Sequence, residues 1–249
     1  MTDEGAAISE VASINGEGMS VCNYDSPVIP GYLEDTYWWA YLRPRAIWIF
    51  EREWLVNLIL WGNMARLTRA VLDEMDCEER APVLQVACVY GDFSNLLATY
   101  LKRTRSRLAI VDIAPIQLQN VSNKLNHHGN IDLYHQDSSA MQFADGCFDR
   151  TVVFFLLHEQ PEDVRRKTMA EAIRVTRSGG KLVFIDYHGP KRTNPLRYLM
   201  RPVLHWLEPF ALDLWRTELP DYLPEDIAPE QISSQFYCGG LYQKVVVTC

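Results

Sequence analysis

The sequence predicts an α/β fold in which a doubly wound, mostly parallel sheet of seven strands is flanked by helices. Three observations lead to this prediction. Short apolar runs alternate with helical patterns from residue 83 onward, which is typical of parallel strands joined by crossover helices. One of these runs, Thr151–Leu157, carries no charge, as expected for a central strand that is covered on both faces. Two final apolar runs flank Gly239-Gly240 and predict an antiparallel hairpin at the sheet edge.

The predicted elements of the sheet region follow one another in a regular order. Pro161, Glu162 and Asp163 supply first-turn residues for one helix, and Ser178-Gly179-Gly180 ends it. In chain order the elements are strand Val83–Val89, helix Phe93–Lys102, strand Leu108–Val111, a helix from about Ile116 to Leu125, strand Ile131–His135, strand Thr151–Leu157, a helix from Pro161 to about Val175, strand Leu182–Ile185, and the hairpin strands Ile232–Cys238 and Leu241–Thr248.

Three segments are distinguished by composition and periodicity. Residues 1–31 are rich in Gly, Ser and acids without periodicity and predict a mobile tail. Residues 32–80 predict a helical, aromatic-rich extension, because apolar residues recur there at spacings of three and four. Residues 81–249 predict the α/β domain, with a helical insertion at 189–230 before the last two strands.

Composition excludes several classes of protein. A chain of 249 residues, 48% of them apolar, buries a sufficient core without disulfides or structural metal. The net charge of −8 argues against nucleic acid as a partner. The six cysteines lack CxxC or metal-type spacing, so we expect reduced thiols in a cytoplasmic protein. No Lys or Arg occurs in the first 42 residues, which argues against a targeting sequence.

Residues with chemical function follow four of the predicted strands. In doubly wound folds, ligands bind at the carboxyl ends of strands beside the point where the strand order reverses. The stretches at these ends are VLQVACVYGDFS (83–94), AIVDIAPIQL (109–118), HQDSSAMQFADGCFD (135–149), and LLHEQP (156–161) together with IDYHGP (185–190).

The motifs FADGCFD and RVTRSGGKLVFIDY resemble the later motifs of class I S-adenosylmethionine-dependent methyltransferases. The resemblance covers about residues 83–190 and implies their Rossmann-like fold and their cofactor. Asp112, followed by Ile113, matches the acid that takes both ribose hydroxyls, a role that suits a carboxylate because it accepts two hydrogen bonds. Asp137, followed by Ser138, matches the acid that accepts from the adenine amino group. Alternatively, Asp112 only caps a helix and Asp137 only starts a turn.

The first motif departs from the family pattern of an acid followed by three alternating glycines. Gln85 stands for the acid, Ala87 and Val89 stand for two glycines, and only Gly91 remains. We predict that these residues and Tyr90 bind the cofactor in a changed pose, because glycine is used where nothing larger fits. Tyr90 is also expected to contact the amino-acid end of the cofactor, or simply to pack.

A narrower resemblance, to the methyltransferase-like rhodoquinone biosynthesis family, spans most of residues 32–249. It is carried by YWWAYLRP, WLVNLILWGN, VACVYGD, DIAPIQL, LLHEQP and FYCGGLYQKVVV. It implies conversion of ubiquinone to rhodoquinone for anaerobic respiration, in which an amino group from S-adenosylmethionine replaces a ring methoxy group with help from Mn²⁺. Two alternatives stay open: a conventional methyltransferase acting on a quinone precursor, and a non-catalytic protein that binds quinone or cofactor.

Four residues at adjacent strand ends are candidates for metal binding or proton transfer. His158, Glu159, Asp186 and His188 offer the imidazole and carboxylate ligands that Mn²⁺ accepts, and a bound metal would polarise a quinone carbonyl. We predict catalytic roles for His158, Asp186, His188 and Tyr90. The alternative is that these polar residues only bond neighbouring backbone.

Two segments are candidates for contact with a membrane, from which a lipid-soluble quinone must be drawn. The first is the tryptophan-rich extension, whose aromatic residues either pack as core or lid, or face lipid. Its uncharged stretch Trp54–Met64 is shorter than the roughly 18–20 residues that span a bilayer. The second is the insertion, which carries five basic and two acidic residues between Lys191 and Arg216. We expect peripheral association with the inner face of the cytoplasmic membrane.

The inserted helix is predicted to be amphipathic. One face carries Leu196, Leu199, Val203 and Leu207, and the other carries Arg197, Arg201, His205 and Glu208.

Overall fold

The computed structural model describes residues 19–23, 27–41, 44–225 and 227–249, and an eight-stranded sheet organises them. The sheet order is β1-β4-β3-β2-β5-β6-β8-β7. Neighbours from β1 to β6 run parallel, whereas β8 is antiparallel to both β6 and β7. The strands are β1 (Met19–Asn23), β2 (Pro82–Val86), β3 (Arg107–Asp112), β4 (Ile131–His135), β5 (Phe148–Phe154), β6 (Thr176–Tyr187), β7 (Ile232–Tyr237) and β8 (Tyr242–Thr248).

The predicted fold class is confirmed, since strands β2–β8 form the doubly wound, mostly parallel sheet of seven strands. The chain builds outward from β2 to β4 and then returns to β5 on the other side of β2. The strand order therefore reverses between β2 and β5, which is where such folds bind ligands.

The eighth strand corrects part of the predicted mobile tail. Residues Met19–Asn23 pair in parallel with Ile131–His135 of β4. The reason is that β4 would otherwise end the sheet with unpaired backbone groups, which an added strand satisfies. Residues 1–18 and 24–26 of the predicted tail lie outside the described residues.

Helices cover the sheet and extend over one end of it. The extension at 32–80 contains short helices instead of one continuous helix, and Trp61 and Gly62 end one of them with positive φ values of 53° and 73°. The helices are α1 (Gly31–Tyr41), α2 (Pro44–Phe50), α3 (Glu53–Ile59), α4 (Met64–Leu72), α5 (Phe93–Leu101), α6 (Pro115–Leu125), α7 (Glu162–Val175) and α8 (Leu196–Leu207).

Apolar side chains pack on both faces of the sheet because successive residues of a strand point to opposite faces. Val83 of β2 joins the cluster that contains residues of α4–α6, whereas Leu84 joins the cluster that contains residues of α7. The stacked rings of Phe93 and Phe154, 4.1 Å apart, join α5 to β5. The core thus fixes the carboxyl ends of β2, β3 and β5 relative to one another.

The inserted helix α8 buries residues other than those of the predicted apolar face. Met200 and Leu204 are buried, whereas Leu199, Val203 and Leu207 are exposed. The residues that pack inward follow a strict spacing of four, and the wider apolar stripe extends past them onto the surface. The helix is continuous through Pro202.

Candidate active site

A cavity lies at the carboxyl ends of the central strands, beside the point where the strand order reverses. Helices α1–α3 cover it, and the turn after β5 forms one of its walls. Its polar lining consists of Tyr32, Tyr90, Asp112, Gln117, Asp137, Ser138, His158, Glu159, Gln160, Tyr187 and Glu208.

The loop after β2 keeps a glycine-like backbone although its glycines are replaced. Ala87 has a φ of 71° and Gly91 a φ of 76°, in the left-handed region that costs a side chain about 1–2 kcal/mol. The Ala87 amide donates to the Val111 carbonyl at 2.8 Å and holds this turn against β3. Ala87 and Val89 line the cavity.

Gln85 and Gly91 act behind this loop and do not line the cavity. The buried Gln85 amide donates to the Ala87 carbonyl and to the Ser94 hydroxyl, both at 2.9 Å. Gln85 therefore supports the loop, which corrects its predicted direct role. It is buried because it points to the covered face of β2, where a polar side chain needs partners.

Asp112 ends β3 and lines the cavity together with Ile113. Its two carboxylate oxygens accept one backbone amide each, Cys88 N at 2.7 Å and Ala114 N at 2.8 Å. Burial raises the pKa of Asp112, and these two amides partly oppose the rise. Each oxygen retains acceptor capacity toward a ligand in the cavity, so capping the turn and binding a ligand are compatible.

Asp137 and Ser138 also line the cavity, beyond the end of β4. One carboxylate oxygen of Asp137 accepts from the amide and the hydroxyl of Ser139, both at 2.8 Å. The Ser138 hydroxyl lies 3.1 Å from both Gln160 Nε2 and Thr168 Oγ1. The structure therefore brings both predicted cofactor acids to one cavity.

Tyr90 joins the loop after β2 to helices α6 and α2. Its hydroxyl accepts from Gln117 Nε2 at 2.7 Å, and its ring stacks on Phe50 with ring centroids 5.8 Å apart. Burial raises the pKa of Tyr90 above its ordinary value, so the hydroxyl stays protonated at neutral pH.

Lys124 of α6 makes a second connection, between the loop after β2 and the segment that joins α2 to α3. Its ammonium group donates to the carbonyls of Val89 at 3.1 Å and Gly91 at 2.9 Å. It also pairs with Glu51 at 2.9 Å, and Glu51 accepts from Asn120 and from the Gly91 amide. Because three elements meet at this one ammonium group, Lys124 fixes the loop against both α6 and the segment that joins α2 to α3.

Lys124→Met is expected to lower the free energy of unfolding by about 1–2 kcal/mol. The Glu51 carboxylate and the carbonyls of Val89 and Gly91 would lose the half-buried ammonium group that donates to all of them. Urea unfolding measures the change. Lys102→Met, which removes an exposed lysine after α5, is the matched control and should leave stability within about 0.5 kcal/mol. Equal stability of the two variants would show that Lys124 does not fix the loop.

His158, which lines the cavity, forms a buried pair with Asp186. Asp186 Oδ1 lies 2.9 Å from His158 Nδ1, and its Oδ2 accepts the backbone amides of Leu157 at 2.8 Å and His158 at 3.3 Å. The other ring nitrogen, Nε2, lies 3.7 Å from a carboxylate oxygen of Glu159, which is longer than a hydrogen bond. Asp186 therefore fixes the orientation of the imidazole.

Burial alone would lower the pKa of His158, but the negative charges of Asp186, Glu208 and Glu159 outweigh it and raise the pKa to about 9. His158 is therefore an imidazolium at neutral pH. A raised pKa contributes stability that is fully present below the ordinary value of about 6.5 and is lost as the pH rises through about 9.

Between pH 6.5 and pH 10, the free energy of unfolding is expected to fall by roughly 3 kcal/mol more in the parent protein than in His158→Gln. Chemical unfolding at both pH values gives the two differences, and subtracting them removes the titration of other groups. The same pH dependence in both proteins would contradict the raised pKa.

Aromatic rings and a second acid, Glu208, complete the lining around His158. The ring of Tyr187 lies edge-on to His158, with centroids 4.9 Å apart, and Phe155 contacts both. Burial raises the pKa of Glu208. The positive charge of His158 and the hydrogen bond of the Tyr37 hydroxyl oppose this rise. Flat apolar walls around a donor and an acid suit a planar ring that carries oxygens.

Three of the predicted manganese ligands, His158, Glu159 and Asp186, lie near one another, whereas His188 lies apart from them. His188 Nδ1 donates to the Gly240 carbonyl at 2.7 Å, and its ring contacts Phe236 outside the cavity. Both oxygens of Asp186 are occupied by backbone amides and His158. In the parts of the chain that the structure describes, no group of three or more His, Cys, Asp or Glu side chains is arranged to hold a metal. These residues do not fit a manganese site, and His188 leaves the candidate site.

Sequence reasoning missed Arg165, which positions the turn that carries His158. The guanidinium is fully buried and donates to the carbonyls of Leu157 and Gln160, both at 2.9 Å. It also donates to the Phe210 carbonyl and the Tyr222 hydroxyl of the insertion, both at 3.0 Å. Its place on the same helical face as the buried Met169 and Ala172 was the available signal.

Sequence reasoning also missed several residues of the cavity lining itself. Glu208 shares the predicted polar face of the inserted helix, and nothing in its spacing points to the cavity. The others are Tyr32, Cys88, Gln117 and Gln160.

Comparison with known proteins matches the sheet region to a family and to several curated proteins. A family model described as a methyltransferase domain matches residues 83–180. The chain is 30% identical over 151 residues to the demethylmenaquinone methyltransferase of Renibacterium salmoninarum, covering 58% of this chain and 59% of that protein. It is 26% identical over 140 residues to a ubiquinone/menaquinone biosynthesis C-methyltransferase of Haemophilus ducreyi, covering 55% and 53%. The chain thus matches less than two thirds of the length of these relatives.

Solved structures share the fold at low sequence identity. The PH0226 protein of Pyrococcus horikoshii superposes with a TM-score of 0.52 at 12% identity, covering 89% of this chain and 99% of that one. The N-methyltransferase NodS of Bradyrhizobium japonicum, in complex with S-adenosyl-L-homocysteine, gives 0.50 at 14% identity, covering 74% and 85%. These likenesses show the fold alone. The match to the methyltransferase domain model covers residues 83–180, which lie within the α/β domain of this chain.

Proposed function

We propose that this chain is an S-adenosylmethionine-dependent methyltransferase that acts on the ring of a quinone in its reduced form. One observation carries the proposal. A single cavity joins Asp112 and Asp137, at the positions of the family's cofactor acids, to the His158–Asp186 pair and its aromatic walls. The names of the curated relatives, which are quinone methyltransferases, support the same class of substrate.

The cavity lining fits the cofactor at both of its polar ends. Asp112 offers two carboxylate oxygens for the ribose hydroxyls, and Asp137 offers an acceptor for the adenine amino group. When bound, the cofactor supplies a methyl group on a positively charged sulfur. The residues of the chain then have to hold the acceptor ring, stabilise its charge and take up a proton.

His158 is the group that stabilises charge on the ring. As an imidazolium fixed by Asp186, it presents Nε2–H as a donor to a ring oxygen and so stabilises the phenolate form of the reduced ring, whose carbon attacks the methyl group. Phe155 and Tyr187 exclude water around this hydrogen bond and thereby strengthen it. The methyl group replaces a ring hydrogen, and Glu208, whose pKa is raised by burial, accepts the proton that leaves.

A second candidate reaction, amination of ubiquinone to rhodoquinone, is favoured by the loop after β2. The side chains of Val89 and Tyr90 line the cavity where the family pattern has glycine or leaves space, so they restrict how the methionine part of the cofactor lies. In this reaction an amino group takes the place of a ring methoxy group, which leaves as methanol. His158 would then polarise the quinone carbonyl.

A double-label experiment distinguishes the two reactions. The protein is incubated with S-adenosylmethionine carrying ¹⁵N on its amine and ¹³C on its methyl, together with reduced demethylmenaquinone or with ubiquinone, and products are analysed by mass spectrometry. We expect ¹³C in the quinone product. Transfer of ¹⁵N to the quinone would show amination and contradict the proposed methylation. Neither label in the product, with cofactor binding confirmed by calorimetry, would show a binding protein.

The loop has its own test in the Val89→Gly/Tyr90→Gly variant. If these side chains select the pose of the cofactor, the variant should change the ratio of ¹³C to ¹⁵N transfer. An unchanged ratio would remove the loop from the choice of reaction.

A further inference from the structure

Helix α3 and the turn after it carry apolar side chains on two opposite sides. Val56 and Leu60 line the cavity, whereas Trp54, Leu58 and Trp61 are 63%, 63% and 41% exposed. The chain has no charged residue between Trp54 and Ala65. A helix that is apolar all round is expected in a core or in lipid, so its outer side indicates an apolar partner.

Helix α8 continues this exposed apolar area. Tyr198 and Trp206 are 69% and 81% exposed, although Met200 and Leu204 of the same helix are buried. The two helices meet where the Trp61 indole N–H donates to the sulfur of Met200 at 3.2 Å. We call the exposed set the aromatic surface; it consists of Trp48, Trp54, Leu58, Trp61, Tyr198, Leu199, Val203, Trp206 and Leu207.

Exposed basic residues accompany the aromatic surface. The Arg52 guanidinium lies 4.0 Å from the ring centre of Trp48, and Lys191, Arg192 and Arg201 are exposed in or near α8. The two acids between residues 191 and 216 do not cancel them, because Glu208 lines the cavity and Asp213 lies 3.6 Å from Arg216. One exposed acid, Glu53, opens α3. On a chain of net charge −8, this side is locally positive.

We propose that the aromatic surface docks on an anionic lipid bilayer, with α3 and α8 in the headgroup region. Trp and Tyr favour that region because one part of each ring system is apolar and the other is polar, and basic residues at its edge are attracted by anionic lipids. A second copy of this chain fits less well, since a symmetric contact would bring the two basic segments together.

None of the helices in the described part of the chain combines the length and the apolar character of a membrane-spanning segment. Docking would place the outer side of α3 in lipid and its inner side on the cavity. A lipid-soluble substrate would then reach the cavity from the bilayer along α3. Only this substrate route rests on the proposed function; docking itself depends on the surface alone.

Vesicle sedimentation with the full chain, without cofactor or quinone, tests the docking. We expect binding to vesicles of 70% phosphatidylcholine and 30% phosphatidylglycerol at low salt, and weaker binding to phosphatidylcholine alone. Trp54→Gln/Trp206→Gln should lower the partition coefficient at least about tenfold, and Arg52→Gln/Arg201→Gln roughly fivefold or more on anionic vesicles. Leu96→Gln, which removes an exposed leucine of α5, is the matched control and should bind as the parent does.

Three results would overturn the proposal. The first is no binding of the parent protein to anionic vesicles at low salt. The second is unchanged binding of the tryptophan variant, with circular dichroism and thermal midpoint matching the parent. The third is a concentration-dependent dimer, measured by light scattering, that the tryptophan variant abolishes while vesicles stay unbound; it would assign the surface to a second copy.

The substrate route has a separate test. If it runs past α3, the tryptophan variant should raise KM severalfold for a long-tailed quinone in vesicles and leave KM for a tailless analogue unchanged. A docked protein with equal KM values in parent and variant would overturn the route while the docking result stands.

Discussion

His158→Gln is expected to lower turnover about 10²–10³-fold, because it removes the charged donor that would stabilise negative charge on the substrate oxygen. The neutral amide of Gln occupies similar space but carries no charge. The affinity for S-adenosylmethionine should stay within about twofold, since the proposed cofactor acids Asp112 and Asp137 follow other strands, β3 and β4.

The pH dependence of turnover separates this role from a structural one. Because Asp186 and its neighbours raise the pKa of His158 to about 9, turnover that needs the imidazolium should decline as the pH rises through about 9, and the variant should lack that decline. His127→Gln, which changes an exposed histidine, is the control. Turnover of the His158→Gln variant above half the parent rate would exclude His158 from the reaction.

Asp112→Asn is expected to weaken S-adenosylmethionine binding about 100-fold or more. The amide has only one acceptor oxygen, so its nitrogen would face the backbone amide of Cys88 or of Ala114 and disturb the loop. A donor that faces a buried donor costs about 1–3 kcal/mol, and the loss of the charged acceptor for the ribose hydroxyls adds to it.

Titration calorimetry measures this affinity, and urea unfolding checks that the variant is folded at the temperature used. Asp73→Asn, which changes an exposed aspartate after α4, is the matched control. If the folded Asp112→Asn variant bound the cofactor as the parent does, Asp112 would only cap the turn after β3.

The parts of the fold that follow from local pattern were predictable. The strand Ile131–His135 has the bounds that the sequence predicts, because a turn precedes it and Asp137 follows it closely. Asp112 and Asp137 reach one cavity because parallel strands present their carboxyl ends at the same edge. The edge strand β1 was not predictable, because its partner β4 is more than 100 residues away and the segment has no periodicity of its own.

His188 shows where strand alternation fails. Alternation puts Asp186 and His188 on one face if the strand continues. Strand β6 ends at Tyr187, and His188 lies beside the turn of the final hairpin, where its ring donates to the Gly240 carbonyl. Glu208 is the opposite case. The pattern puts it on a polar face, yet it lines the cavity, because tertiary packing and not the pattern decides which side of α8 turns inward.

The buried Arg165 connects the turn that carries His158 to the insertion. Its guanidinium is shared between two carbonyls of the His158 turn and two oxygen acceptors of the insertion. If either segment moved alone, the buried guanidinium would lose some of its hydrogen-bond acceptors, and this loss costs free energy. A force applied to the insertion is therefore transmitted to His158, and by reciprocity a ligand that shifts His158 changes the position the insertion prefers.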